Sequence, residues 1–196
     1  MHPIEAIKKL MNITPEQEEA VMALMHETKM AKGETIEGAT TISTRAFYLA
    51  KGAARIYYTN HGREHTVSFA FDDTFLVLPQ LIRRQYMDTL AIQFLEPSRL
   101  ISFRHADVKT ELERTRSEVS LESMLIINTA LANYVGYLEE RVLVMQSLSA
   151  RERYEWALQR FPRLTDCATT TQIASFLGLT KETLYRIKNG NYRKTK

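Results

Sequence analysis

The residues best suited to chemistry lie near the end of the chain, between Thr170 and Lys188. Apolar residues recur there at helical spacing on both sides of Gly178, and glycine readily takes the left-handed conformation that ends helices. We expect Thr170 or Thr171 to cap the first helix and Thr180 to cap the second. The spacing therefore predicts two short helices joined by a tight turn, a helix-turn-helix. The shared core of this pair would contain Ile173, Ala174, Leu177, Leu179, Leu184 and Ile187.

The second helix of this pair carries side chains that can read the edges of DNA bases. The guanidinium of Arg186 matches the two acceptors of guanine, and the carboxylate of Glu182 can accept from the amino group of cytosine. The two residues are also one helical turn apart, so an ordinary surface ion pair is the alternative interpretation. In a helix-turn-helix protein the start of the second helix enters the major groove. The predicted DNA-binding residues are Thr180, Lys181, Glu182, Thr183, Tyr185, Arg186 and Lys188.

Charge is unevenly distributed along the 196 residues. Residues 1–147 contain 16 Lys or Arg and 19 Asp or Glu, whereas residues 148–196 contain 10 Lys or Arg and 4 Asp or Glu. A basic module after a mildly acidic body favours a polyanionic partner, although a solvated basic surface would give the same count. We expect Lys188 and the last basic residues, Arg193, Lys194 and Lys196, to contact phosphates.

The elements before this module change from a helix to strands. Thr14-Pro15-Glu16-Gln17 has the residues of a capping box with proline at the first helical position. Val21, Leu24, Met25 and Thr28 follow at helical spacing, so we expect this helix to run toward Lys32-Gly33. From about Thr35 to Phe103 apolar residues alternate with polar ones, as in the run Val67, Phe69 and Phe71. Many short strands with regular turns predict an antiparallel sandwich or barrel.

The chain between Phe103 and Ser147 has a helical pattern that includes a heptad seam. Such a seam suits a helix that pairs with a second copy of itself, and the single polar a position, Asn128, can set the register of the pair. The sequence therefore predicts a homodimer; the alternative is a long helix packed only on its own chain. The predicted dimerisation residues are Leu121, Met124, Asn128, Leu131, Val135, Leu138, Val142 and Met145.

Several classes of site lack the residues that they need. Cys167 is the single cysteine, so a disulfide within the chain, a cysteine-rich zinc site and an iron–sulfur cluster are excluded. No apolar stretch reaches the roughly 18 residues of a membrane span. The N-terminus lacks the apolar core of a signal peptide, so we expect a cytoplasmic protein. The alternative function is a small-molecule-binding or cupin-like β-roll enzyme with an appended basic domain. His61, His65 and His105 do not form a metal-ligand pattern, and we expect no metal.

Beyond these patterns, the chain resembles the Crp/Fnr-type, cyclic-AMP-receptor-like transcriptional regulators. The most specific match runs from Ile173-Ala174-Ser175-Phe176-Leu177-Gly178-Leu179-Thr180 to Lys181-Glu182-Thr183-Leu184-Tyr185-Arg186-Ile187. Weaker matches are Lys32-Gly33-Glu34, the stretch from Phe47 to Tyr57, Gly62-Arg63-Glu64 and Ser149-Ala150-Arg151-Glu152-Arg153-Tyr154. Together they cover nearly all of the chain.

The resemblance implies an α+β fold with three parts. These are an N-terminal jelly-roll β-roll sensor domain with flanking helices over residues 1–116, a long dimerisation helix over 117–147, and a C-terminal helix-turn-helix domain over 148–196. The wing that follows the helix-turn-helix in many relatives would be short or absent. The implied function is a homodimeric, sequence-specific regulator that binds an inverted-repeat operator in double-stranded DNA, with no cofactor.

The sensor part departs from relatives that bind cyclic nucleotides. Those relatives carry a Gly-Glu pair and, about ten residues later, an arginine that pairs with the cyclic phosphate. Here the first region reads Phe71-Asp72-Asp73-Thr74-Phe75, Met87-Asp88 stand near the expected arginine, and Arg83 and Arg84 are out of register. We therefore expect no response to cyclic AMP. The sequence leaves open an unknown small-molecule effector and, as the alternative, a constitutive DNA binder without one. A roomy pocket near Phe75–Leu81 and Tyr134–Tyr137 would favour an effector, and a filled interior would favour none.

Overall fold

The computed structural model describes residues 4–5, 8, 14–38, 42, 44–76, 89–104, 106–107, 110, 114 and 121–190, with the side chains of 89, 121–127 and 130 excepted. Within these ranges a β-roll is followed by a long helix and then by a set of shorter helices. The α+β class and the antiparallel roll predicted from the sequence are confirmed at this level.

The β-roll consists of two four-stranded antiparallel sheets. The first has the order β1-β8-β3-β6, formed by His26–Met30, Ser98–Arg104, Arg45–Lys51 and Thr74–Phe75. The second has the order β2-β7-β4-β5, formed by Thr35–Glu37, Thr89–Phe94, Ala53–Asn60 and Arg63–Phe71. Among the described strands, β5 is therefore at the edge of the second sheet. The turn at His61-Gly62 joins β4 to β5, with both residues at positive φ.

The first helix begins where its cap predicts. Helix α1, Pro15–Leu24, has the expected capping box between Thr14 and Gln17. It ends earlier than the sequence pattern suggests, because Thr28 lies in β1 and pairs with Leu100. The chain then continues through the strands to α2, Leu121–Ser147, α3, Ala150–Arg160, α4, Leu164–Cys167, α5, Thr170–Leu177, and α6, Lys181–Lys188.

The two larger hydrophobic clusters of the described residues hold these elements together. The first lies inside the roll and includes Phe47, Leu49, Ile92 and Phe94. The second lies on the other face of the β5 sheet, where Phe69 packs with residues of α3, α4, α5 and α6. The rings of Phe69 and Phe176 meet edge to face at 5.3 Å. Burial of this apolar surface fastens the C-terminal helices to the roll.

Candidate nucleic-acid interface and adjoining cavity

The N-caps of helices α5 and α6 determine where the two helices begin, and one glycine determines where α5 ends. The hydroxyl of Thr169 accepts from the amide of Gln172, and the Gln172 side chain accepts from the Thr169 amide. The cap is thus Thr169, and the prediction of Thr170 or Thr171 is wrong by one or two residues. At the other end Gly178 has φ 64° and ψ 34°, so the predicted left-handed turn is confirmed. Thr180 caps α6, as expected.

The core of this helix pair forms largely as predicted. Ile173, Leu177 and Leu184 are fully buried, and Ala174 is nearly so. Leu179 packs against the same cluster from the turn. This burial fixes which face of α6 points outward, because a helix with one buried stripe must expose the opposite one.

The outward face of α6 carries the predicted DNA-binding residues. Lys181, Glu182, Arg186 and Lys188 are exposed, and Tyr185 is 63% exposed despite its size. Thr183 is half-buried, and its hydroxyl lies 2.9 Å from that of Thr180. Neither Glu182 nor Arg186 has an ion-pair partner within the described part of the chain. The surface ion pair considered as their alternative role is therefore not formed.

The long helix α2 presents two different faces. Tyr134, Tyr137, Arg141 and Val144 face the chain's own roll and C-terminal helices. The opposite face exposes an apolar stripe made of Leu131, Val135, Leu138 and Val142, with exposed fractions of 36–54%. Asn128 is exposed as well.

Other members of the predicted seam lie elsewhere. Met145 packs against the C-terminal core of its own chain, because its place on α2 turns it toward that core. The side chains of Leu121 and Met124 lie outside the described residues.

A cavity of about 410 Å³ lies beside α2 at the location named from the sequence. The roll contributes Ile56, Ser68, Ala70 and Phe75, α2 contributes Asn133, Tyr134 and Tyr137, and the end of α3 contributes Arg160 and Phe161. The hydroxyl of Tyr137 is buried and has no hydrogen-bond partner among the described residues. The Arg160 guanidinium lies 5.4 Å from the centre of the Tyr137 ring. Burial raises the pKa of Tyr134 in the same wall.

Some sequence predictions fall outside the described residues. These are Arg83, Arg84, Met87 and Asp88 of the departure from the cyclic-nucleotide motif, His105, the basic residues 193–196, and the start of the long helix before residue 121. The shortened or absent wing belongs to the same group.

Sequence reasoning missed the polar contacts that join the C-terminal helices to the roll and to α2. Ser175 bridges two backbone groups of β5, and Arg141 donates to backbone carbonyls of β5 and α5. One signal could have drawn attention to Arg141, which is the only Lys or Arg between residues 117 and 150. Ser175 gave no such signal.

The described residues set limits on other kinds of site. No three His, Cys, Asp or Glu side chains among them converge closely enough to hold a metal ion. Of the helices in the described ranges, none combines the length and the apolarity needed to cross a membrane.

Comparison by sequence alone identifies no relative, because no protein-family model and no curated protein matches the chain. Comparison by structure gives three informative neighbours. The c-di-GMP-responsive global regulator CLP from Xanthomonas campestris is 12% identical with a TM-score of 0.66, covering 90% of this chain and 91% of CLP. A protein from Eubacterium rectale assigned to the crp/fnr family of transcriptional regulators is 16% identical with a TM-score of 0.66, covering 91% and 83%. FixK2 from Bradyrhizobium japonicum is 19% identical with a TM-score of 0.61, covering 85% and 83%.

The structural neighbours are consistently Crp/Fnr family regulators, so the resemblance noted in the sequence is confirmed. At these identities the likeness concerns the fold. The chain has a β-roll of the cyclic-nucleotide-binding type, and the overlap extends over most of its length.

Proposed function

We propose that the protein is a homodimeric, sequence-specific DNA-binding transcriptional regulator of the Crp/Fnr type that acts in the cytoplasm. The observation that carries the proposal is the exposed polar face of α6, held outward by the buried residues beneath it. In this proposal α5 and α6 form a helix-turn-helix, and α6 is the recognition helix. The roll acts as the sensor, α2 as the dimerisation helix, and the chain from 148 onward as the DNA-binding domain.

Within α6 the proposed roles follow from position. Glu182 and Arg186 lie on the exposed side and have no ion-pair partner within the described ranges, so they are available to base edges. Lys188, at the end of the helix, is placed to contact a phosphate. The apolar stripe of α2 supports the dimer, since four exposed branched side chains on one face favour burial against a second copy.

Selection of sequences from a random DNA pool tests this proposal. The wild-type dimer should select an inverted repeat with half-sites about one helical turn, ~34 Å, apart. The Arg186→Ala variant should lose about 1–3 kcal/mol per half-site and relax the preference at one base position. The Lys188→Ala variant is the matched control, because loss of a phosphate contact should weaken all sequences alike.

Two outcomes would contradict the proposal. If wild-type protein selects no inverted repeat, it is not a dimeric operator-binding regulator. If Arg186→Ala keeps the base preferences while Lys188→Ala changes them, α6 does not read DNA in the proposed way.

The cavity beside α2 supports a second part of the proposal, control by a small-molecule effector. Its volume suits a small ligand, and its wall includes Tyr137, whose buried hydroxyl has no hydrogen-bond partner among the described residues. Because the cyclic-nucleotide motif is incomplete in the sequence, we propose that the effector is not cyclic AMP. Calorimetry should detect no binding of cyclic AMP, and a micromolar dissociation constant would overturn this point.

A cupin-like enzyme is less well supported, because the described residues lack a metal-ligand cluster.

A further inference from the structure

The turn between α5 and α6 is held by two arginines that reach it from other helices. Arg141 on α2 donates through Nη2 to the carbonyl oxygen of Phe176 at 3.3 Å. Arg153 on α3 donates through Nη1 to the carbonyl oxygen of Leu177 at 3.5 Å. These carbonyls end α5 and have no partner within that helix, and a cation at a helix C-terminus is electrostatically favoured.

The same two arginines also donate hydrogen bonds to β5 and to the end of α2, the elements against which α5 and α6 are positioned. Arg141 donates to the carbonyl oxygen of Val67 on β5 at 2.7 Å, and its guanidinium lies 4.8 Å from the centre of the Phe176 ring. Arg153 donates to the carbonyl oxygens of Met145 at 2.5 Å and Leu148 at 3.0 Å, where α2 ends. Each guanidinium thus connects the turn before α6 to a fixed element.

The edge of the roll gives α5 a matching backbone contact. Strand β5 is the edge of its sheet, and an edge strand has backbone groups that lack a neighbouring strand. The hydroxyl of Ser175 accepts from the amide of Thr66 at 3.0 Å and donates to the carbonyl oxygen of Glu64 at 3.1 Å. The Ser175 hydroxyl therefore satisfies one backbone donor and one backbone acceptor at this edge.

Arg141 is unusual because its positive charge is half-buried without a carboxylate partner among the described residues. Burial lowers the pKa of its guanidinium. A desolvated cation that is held by carbonyl oxygens from two elements resists displacement, because moving either element would leave a buried donor unpaired. Such an arrangement suits a fixed connection better than a surface contact.

We infer that Arg141 and Arg153 are positioning residues that fix the direction of α6 relative to the long helix α2. The inference rests on the proposed function, in which two copies of α2 form the dimer and two copies of α6 enter successive major grooves. The docked arrangement leaves the outward face of α6 uncovered, so it is the arrangement that binds DNA. The two arginines then set the distance between the recognition helices and hence the preferred spacing of the half-sites.

The experiment measures DNA affinity as a function of half-site spacing. The wild-type protein and the Arg141→Gln and Arg153→Gln variants bind operators whose spacer is lengthened or shortened by one or two base pairs. Each variant should bind the best-spaced operator about 10-fold more weakly, within the usual range of couplings between sites. The loss of affinity on changing the spacer should also become smaller. Affinity for DNA with a single half-site, and the dimer in sedimentation, should stay at the wild-type values.

Matched controls separate positioning from charge and from folding. Arg104→Gln removes a positive charge from an exposed arginine on β8 and should leave the spacing profile unchanged. Arg141→Lys keeps the charge but offers a less suitable geometry for two carbonyls, so it should restore affinity only in part. If Arg141→Gln unfolds in a thermal scan, Arg153→Gln carries the test, because it removes the contact with the Leu177 carbonyl and leaves Arg141 in place.

The outcomes distinguish this inference from the function on which it rests. If wild-type protein selects an inverted repeat but the variants keep its spacing profile, the positioning role is wrong and the proposed function stands. Tighter operator binding by the variants would also overturn the inference, because docking would then hold α6 away from DNA. A wild-type protein with no preferred operator overturns the proposed function itself.

Discussion

Helices α5 and α6 are neighbours of eight residues each, but they differ in what covers them. Helix α5 has four buried residues, Ile173, Ala174, Phe176 and Leu177, and it packs against β5. Helix α6 has one buried residue, Leu184, and leaves a polar face exposed. The difference indicates a division of labour in which α5 anchors the pair and α6 is free to contact a partner.

The long helix repeats this contrast on its two faces. One face of α2 is covered by its own chain through Tyr134, Tyr137 and Arg141, and the other exposes apolar side chains. The apolar face of α2 and the polar face of α6 therefore suit different partners. An exposed apolar stripe is satisfied by a second apolar surface, whereas an exposed polar and basic helix is satisfied by a polyanion.

The largest expected effect comes from placing charge on the uncovered face of α2. The Leu131→Glu, Leu138→Glu double variant should be monomeric at micromolar concentration, because each buried carboxylate costs several kcal/mol and the dimer would bury both from each copy. Sedimentation velocity measures the result. Leu143→Glu is the matched control, because Leu143 is 62% exposed but lies outside the predicted seam. If the double variant stays dimeric, the proposal that α2 is the dimerisation helix is wrong.

The next prediction compares the loss of one aromatic side chain from α5 with the loss of one from α6. Phe176→Ala on α5 should lower the free energy of unfolding by about 3–5 kcal/mol, because the ring is buried among Phe69, Trp156 and Phe161. Tyr185→Ala on α6 should change it by no more than about 0.5 kcal/mol, because the ring is largely exposed. Chemical denaturation at one protein concentration measures both. If the two variants lose similar amounts of unfolding free energy, the interpretation of α5 as an anchoring helix and α6 as an exposed helix is wrong.

The sequence predicted the parts of this contrast that depend on local periodicity. The buried stripe of the helix pair, the turn at Gly178 and the cap at Thr180 follow from spacing and residue type, and all three were found. The early end of α1 could not be predicted so easily. Thr28 fits a helical pattern, but pairing of β1 with β8 overrides local preference.

The docking of α5 on the roll lay beyond sequence reasoning for a different reason. Ser175 and Arg141 bind backbone groups of β5, and backbone groups carry no sequence pattern that could identify a partner. The sequence singled out the interior beside α2 without predicting whether it is open or filled, and the unpartnered hydroxyl of Tyr137 depends on packing between three elements. Contacts between elements that are far apart in sequence are therefore the main information that the structure adds.

A smaller effect tests the cap that the sequence placed one or two residues too late. Thr169→Ala should lower the free energy of unfolding by about 1 kcal/mol, because the Gln172 amide at the start of α5 loses the Thr169 hydroxyl that accepts its hydrogen bond. Thr170→Ala is the matched control and should be close to neutral, because Thr170 is already inside the helix. Thermal unfolding compares them. If Thr170→Ala were the more damaging variant, the assignment of the cap would be wrong.

The smallest expected effect concerns Tyr137, whose hydroxyl is buried without a hydrogen-bond partner among the described residues. Its removal should stabilise the protein, whereas the preceding substitutions should destabilise the fold or the dimer. A buried hydroxyl without a partner has lost its hydrogen bonds to water and gained none in return, so its removal relieves a cost. Tyr137→Phe should therefore raise the free energy of unfolding by up to about 1 kcal/mol in the absence of any effector, as measured by thermal unfolding. Tyr134→Phe, in the same wall, is the control and should not be more stabilising. A hydroxyl kept at a cost to stability is expected where a ligand completes its hydrogen bonding. A destabilised Tyr137→Phe variant would mean that the hydroxyl is already satisfied in the free protein, and the cavity would lose its strongest support as an effector site.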